Sequence, residues 1–186
     1  LLAGGDLMEF AKLAKTSKTD EWYTPRYAVE LIVPYIQRNK FKKVWCPFDT
    51  EKSEFVKTLN RYGIDVIYSH ISFGDDFFKF KNPPEGVDCI VSNPPFSRQN
   101  EIFKKLFGWD LPFAIIANSN GLFDAKARWE MFRKNQFELL IPNRRIHFSD
   151  GKCVKNSPPF QCFYVCHNFL DEKMVFAEMP DIKGAI

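Results

Sequence analysis

Cys89-Ile90-Val91-Ser92-Asn93-Pro94-Pro95-Phe96 opens as an apolar run and closes on a double proline. A short apolar run bounded by turn formers reads as a buried strand. The prolines end it, because neither can donate to a ladder hydrogen bond. A strand apolar on both faces belongs to a sheet covered on both sides, as parallel sheets are.

The segments on either side repeat the pattern. Strands are predicted at 44–46, 65–69, 113–117, 137–141 and 160–166, and helices at 53–62, 101–107 and 125–135, with Gly63 closing the first of these. Strands alternating with helices define an α/β fold with a mostly parallel sheet, a terminal antiparallel strand and helices on both faces. Ahead of them a short helix is predicted at 8–14. A second is predicted at 26–39, with Thr24 as N-cap, Pro25 at its first position and Pro34 as a kink. A polar loop spans 142–159. Neither repeats nor low-complexity tracts divide the chain, so one domain over 1–186 is predicted, with 1–7 reading as a remnant ahead of Met8.

Composition sets outer limits. The 186 residues are 45% hydrophobic and 26% charged, ordinary for a globular domain, whereas 20 Phe raise the aromatic share to 16%. A formal charge of +3 is compatible with a nucleic-acid partner without demonstrating one. The five cysteines form no Cys-x-x-Cys pair, and their odd number argues against a disulfide framework and for the reducing cytoplasm. Cys162, Cys166 and His167 lie in an apolar run where buried thiols are common, so no metal is expected. No stretch is long and apolar enough for a membrane span.

In open α/β sheets ligands bind beyond the carboxyl ends of the strands, which directs attention to Asn93-Pro94-Pro95-Phe96. An amine conjugated to a base is a poor nucleophile, because its lone pair is delocalised into the ring. Acceptors aimed at both its hydrogens favour the pyramidal, reactive nitrogen. The Asn93 side-chain oxygen and the Pro94 carbonyl can be those acceptors. Pro94 and Pro95 stiffen the backbone that carries them, and Phe96 offers a face to a planar base.

Ser92 to Phe96 resembles, without a gap, the Asp/Asn/Ser-Pro-Pro-Tyr/Phe motif at the end of the fourth strand in S-adenosylmethionine-dependent amino-methyltransferases of Rossmann-like fold. With Tyr23-Thr24-Pro25 and Trp45-Cys46-Pro47-Phe48-Asp49, it looks most like the small adenine-specific methyltransferases of bacteriophages and mobile elements. The resemblance runs from Asp20 to about Phe169. It implies that Trp22, Tyr23, Thr24 and Pro25 pack around the methionine part of S-adenosylmethionine. It also implies that Asp76 bonds the cofactor adenine and that Phe77 packs on its ring. Pro47, Phe48 and Asp49 occupy the place of the family's acidic-Pro-Phe-x-Gly-x-Gly turn, with Asp49 offering a carboxylate to the methionine amine or the ribose. Both glycines are missing, so Glu51 and Lys52 must either reshape the turn or crowd the site. Ser69-His70 stands where the family has an acid after the second strand.

The loop after the sixth strand holds the target base in that family. Here Arg144, Arg145 and Lys152 are candidate phosphate contacts, Phe148 a candidate partner for a flipped adenine, and Arg98 a further phosphate contact. The predicted activity is methyl transfer to the exocyclic amine of adenine in DNA. RNA, a protein glutamine amide, or nucleic-acid binding without catalysis on the same fold are the alternatives. No segment is large enough for a separate target-recognition domain, which leaves room for a partner subunit in that role.

Overall fold

The computed structural model describes residues 23–120, 122–123, 126–149 and 160–179. Trp22, Lys152 and the helix anticipated at 8–14 lie outside them.

One seven-stranded sheet runs through the molecule. Its strands are β1 (Lys43–Cys46), β2 (Asp65–Tyr68), β3 (Cys89–Ser92), β4 (Phe113–Asn118), β5 (Glu138–Pro142), β6 (Cys162–His167) and β7 (Met174–Ala177), in the order β2-β1-β3-β4-β6-β5-β7. β6 is antiparallel to both its neighbours and every other pairing is parallel, giving the mixed α/β fold read from the sequence. The antiparallel strand is not the last. β7 adds itself to the outer edge of β5; its four residues Met174-Val175-Phe176-Ala177 form an apolar run outside the strands predicted from sequence, and Met174 and Phe176 are exposed.

Strand alternation sorts side chains into two cores. Val44, Cys46, Cys89, Val91, Ala114 and Ile116 face one, beneath helices α1 (Arg26–Glu30), α2 (Val33–Arg38) and α3 (Glu54–Arg61). Trp45, Ile90, Phe113, Ile115 and Ala117 face the other, beneath α4 (Gln99–Trp109) and α5 (Lys126–Lys134). In α3, Phe55, Val56 and Leu59 form the buried stripe. Gly63, at φ 72°, supplies the left-handed residue that closes that helix.

Three sequence expectations need correction. The helix foreseen at 26–39 is two helices, with Pro34 in the first turn of the second, where a missing N–H costs no intrahelical bond. Thr24 is not its cap: Tyr23 pairs with Ser149, which holds 23–24 extended, and Pro25 occupies the cap position with ψ 153°. Between β2 and β3 the chain forms two single 3-10 turns (Ile71–Phe73 and Phe77–Lys79), so Ser92-Asn93 ends the third strand in chain order, not the fourth.

Candidate functional site

Beyond the carboxyl ends of β1, β2 and β3 lies a cleft of about 490 Å³. Of the residues singled out by sequence, Tyr23, Thr24, Pro47, Phe48, Asp49, Asp76, Phe77, Asn93, Pro95 and Arg98 line it. Pro25, Pro94, Phe96, Arg144, Arg145 and Phe148 stand outside its lining.

The turn after β1 is built without glycine. Ser69 donates its amide to the Cys46 carbonyl (3.1 Å) and receives the Asp49 amide on its own carbonyl (3.2 Å), while its hydroxyl accepts from Trp45 Nε1 (3.1 Å). The Ser53 hydroxyl accepts from the Thr50 amide (3.0 Å), and the Ser53 amide returns to the Thr50 carbonyl (3.0 Å), closing a tight loop at the start of α3. Among the described residues positive φ occurs at Lys40, Asp110, Asn168, Gly63, Gly74 and Gly86, none of them in this turn. Glu51 and Lys52 point outward, exposed. The turn is reshaped and the cleft left open.

Asp49 is the buried acid at the centre of this arrangement. Its carboxylate accepts a hydrogen bond from the hydroxyl of Ser92, the fully buried residue just before Asn93. Burial pushes the Asp49 carboxyl up to about 6, with the hydrogen bonds from Ser92 and Ser53 pulling the other way.

Aromatic rings form one wall. Phe77 is buried, with its ring 4.7 Å from Phe48 and further contacts to Trp45 and Trp109. Asp76 caps the short turn that carries it by accepting from the Phe78 amide (2.9 Å). The Arg98 guanidinium lies 3.5 Å over the Phe78 ring and forks onto Glu101 through two hydrogen bonds of 3.0 and 2.6 Å. Arg98 is thus a wall residue with its charge partly answered.

At the other wall, Asn93 and Pro95 face the cleft and Pro94 is buried. Phe96 is half-buried and held edge-to-face by Phe148 (6.3 Å) and Phe160 (6.2 Å). Phe148 is only 3% exposed, so it braces the Phe96 ring and presents little surface of its own. The loop after β5 is fastened to the Tyr23 side of the cleft. Tyr23 and Ser149 exchange backbone hydrogen bonds (2.8 and 3.1 Å), and the His147 amide donates to Tyr27 Oη (2.9 Å). Arg144 is half-buried with its carbonyl accepting from Gln161 Nε2 (3.3 Å), and Arg145 is exposed.

Cys162 and Cys166 face one core, whereas His167 stacks on Phe113 in the other. Burial raises the thiols of Cys46 and Cys166 well above their ordinary value and that of Cys162 to about 12, which keeps them protonated and poor as metal ligands or nucleophiles. Among the described residues no group of three His, Cys, Asp or Glu is placed to hold a metal, and no helix is long and apolar enough to cross a membrane.

Sequence reading missed several cleft residues: Ser53, Glu54, His70 and Asp75 among the lining, and Ser92 as the partner of Asp49. A legible signal existed for Ser53, since a serine directly ahead of the Phe55-Val56-Leu59 stripe is an N-cap signal, and Ser53 does occupy the cap position. Ser92 offered none beyond its place next to Asn93.

No protein-family model and no curated protein matches the chain. Among solved structures it is similar to a modification subunit ascribed to a type I restriction enzyme from Vibrio vulnificus YJ016. The two are 12% identical with a TM-score of 0.49, over 96% of this chain and 51% of that one. This chain thus spans about half the length of that subunit.

Proposed function

We propose that this chain transfers a methyl group from S-adenosylmethionine to the exocyclic amine of adenine in DNA. The observation that carries the reading is that Asn93 and Pro95 open onto the same cleft as Asp49 and Asp76. An amine-polarising motif and a cation-binding wall then serve one reaction.

The cleft's chemistry suits that cofactor. Asp49, Glu54, Asp75 and Asp76 line it with Arg98 as the sole Lys or Arg among the described lining residues, an excess of negative charge that favours a ligand bearing a sulfonium and an ammonium. The Phe48 and Phe77 rings offer an apolar face for a purine. When bound, the cofactor supplies an electrophilic methyl carbon on positively charged sulfur.

The chain's own residues do the rest. The Asn93 side-chain oxygen and the Pro94 carbonyl accept the two amine hydrogens and concentrate the lone pair on nitrogen. The Pro94-Pro95 backbone holds both acceptors still, so little reorganisation accompanies the reaction. Phe96, braced by Phe148 and Phe160, is positioned to pack against the target base. Arg144 and Arg145, on the loop tied to Tyr23, meet the DNA backbone.

The test is incorporation of labelled methyl into adenine of duplex DNA, with RNA and a glutamine peptide in parallel and with Asn93→Ala as the inactive control. Calorimetric titration with S-adenosylmethionine separates cofactor binding from transfer. Transfer to adenine in DNA that Asn93→Ala abolishes supports the reading. Unmodified DNA after long incubation with saturating cofactor, or transfer confined to RNA or peptide, sinks it.

A further inference from the structure

Away from the cleft, a second open groove of about 570 Å³ runs between α4 and α5, with Asn100, Lys104, Arg128, Lys134 and Asn135 in its lining. Its electrostatic character is opposite to that of the cleft. Lys104, Lys126, Arg133 and Lys134 are exposed, and none of these or Arg128 belongs to an ion pair among the described residues. Arg128 Nε is buried without a hydrogen-bond partner. Of the two acids in the lining, Glu101 is already engaged by Arg98. On the same helix Trp129 is 52% exposed, with the Arg133 guanidinium 5.1 Å over its ring.

Unanswered cations beside an exposed aromatic suit a partner that combines phosphate charge with planar rings. Asp49, Asp75 and Asp76 of the cleft, which belong to no ion pair among the described residues, repel such a polyanion and direct its backbone to surfaces like this one. Both helices start from the carboxyl ends of their strands, α4 directly after the Asn93 motif and α5 after β4, so a strand lying here passes close to the cleft's end of the sheet.

We propose that the groove between α4 and α5 is a nucleic-acid contact surface, with Lys104, Arg128 and Lys134 on the phosphodiester backbone and Trp129 stacking on an unpaired base. The choice of DNA as the nucleic acid rests on the function proposed above, whereas the phosphate contacts require no transfer chemistry.

The test is fluorescence anisotropy of a labelled DNA duplex across a salt series. It compares the wild-type chain with Lys104→Ala/Lys134→Ala, both exposed positions, and with Trp129→Ala on an oligonucleotide carrying an unpaired adenine. The double variant should bind at least tenfold more weakly, with the slope of log K against log salt reduced by about 2, since each lost phosphate contact removes roughly 0.9. Trp129→Ala should weaken binding about tenfold where an unpaired base is present and leave fully paired duplex unaffected, in line with the strength of base stacking on aromatics. S-adenosylmethionine affinity should not change in any variant. Identical affinity and salt slope in wild type and double variant overturn the proposal, as does polyglutamate binding as tight as DNA, which points to an acidic protein partner. A wild-type chain that binds DNA through the groove yet transfers no methyl group refutes the function proposed above and leaves this inference standing.

Discussion

The hydroxyl of Ser92 donates to the carboxylate of Asp49, so the residue just before Asn93 is tied to the turn that follows β1. Both side chains are buried, and the bond joins the turn after β1 to the end of β3, the two walls assigned above to methyl donor and methyl acceptor in the proposed function. Neither half of the cleft can shift without disturbing the other.

Asp49 should therefore trade stability for function. Its carboxyl sits at about 6 in the folded chain, raised chiefly by burial, against about 4 for an exposed aspartate. Between those values the native state holds the extra proton, so the stabilising contribution is complete below pH 4 and is lost as pH rises through 6. Asp49→Asn should then be more stable than wild type by about 1–3 kcal/mol at pH 7.5 and equal to it at pH 4, as read by urea denaturation. The same variant should lose the rise in S-adenosylmethionine affinity that the wild type shows as pH increases through 6. A variant less stable than wild type at pH 7.5 would contradict this account.

Ser92→Ala acts on the other partner. Deleting the hydroxyl leaves the buried carboxylate with one donor fewer, at a cost of about 1–3 kcal/mol at neutral pH. With that donor gone the Asp49 carboxyl rises further, so the midpoint of the pH dependence of cofactor affinity should move to higher pH. Calorimetry from pH 5 to 8 reads the midpoint, and an unmoved or lower value would show that the hydroxyl does not govern the charge of Asp49.

For Asn93 the expectation is a clean separation of binding from chemistry. Asn93→Ala should lower the transfer rate by about 10²–10³-fold, the loss typical of removing one preorganised polar group from a reacting centre. Because Asp49, Asp76 and the Phe48–Phe77 wall are untouched, cofactor affinity should remain within about threefold of wild type, a margin of less than 1 kcal/mol. Single-turnover kinetics beside calorimetry tests both halves of the statement.

Several of these features are legible in the amino-acid sequence alone. β3 and β4 announce themselves as apolar runs because both their faces are buried, and the place of Asn93 at a strand end follows from two prolines that cannot continue a ladder. What stays hidden depends on tertiary geometry. The insertion of β6 between β4 and β5 is a pairing choice that local pattern does not encode, and the four apolar residues of β7 are too short a run to fix a strand at the sheet edge, where Met174 and Phe176 stay exposed. The glycine-free turn is legible as an oddity only. Its solution lies partly in the local Thr50–Ser53 bonds and partly in the Ser69 bonds to Cys46, Asp49 and Trp45, which join β1 to the end of β2 and need the sheet to exist first. The opposite charge of the two grooves is likewise a product of assembly, since the contributing residues are scattered from Asp49 to Lys134.

The loop after β5 offers the sharpest division between target and cofactor effects, because two separate contacts hold it. Tyr27 is 8% exposed, burial raises its phenol above the ordinary value, and its neutral oxygen accepts the His147 amide. Tyr27→Phe removes that acceptor at a cost of about 1 kcal/mol and should loosen the stretch bearing Arg144 and Arg145, which raises KM for DNA and leaves cofactor affinity alone. Ser149→Pro removes the amide that donates to the Tyr23 carbonyl and so frees the segment lining the cofactor cleft as well. It should raise both KM for DNA and Kd for S-adenosylmethionine. If Ser149→Pro raises KM for DNA and leaves the Kd for S-adenosylmethionine unchanged, the Tyr23–Ser149 pairing does not couple the loop after β5 to the cleft, and the two sides of the site are mechanically independent.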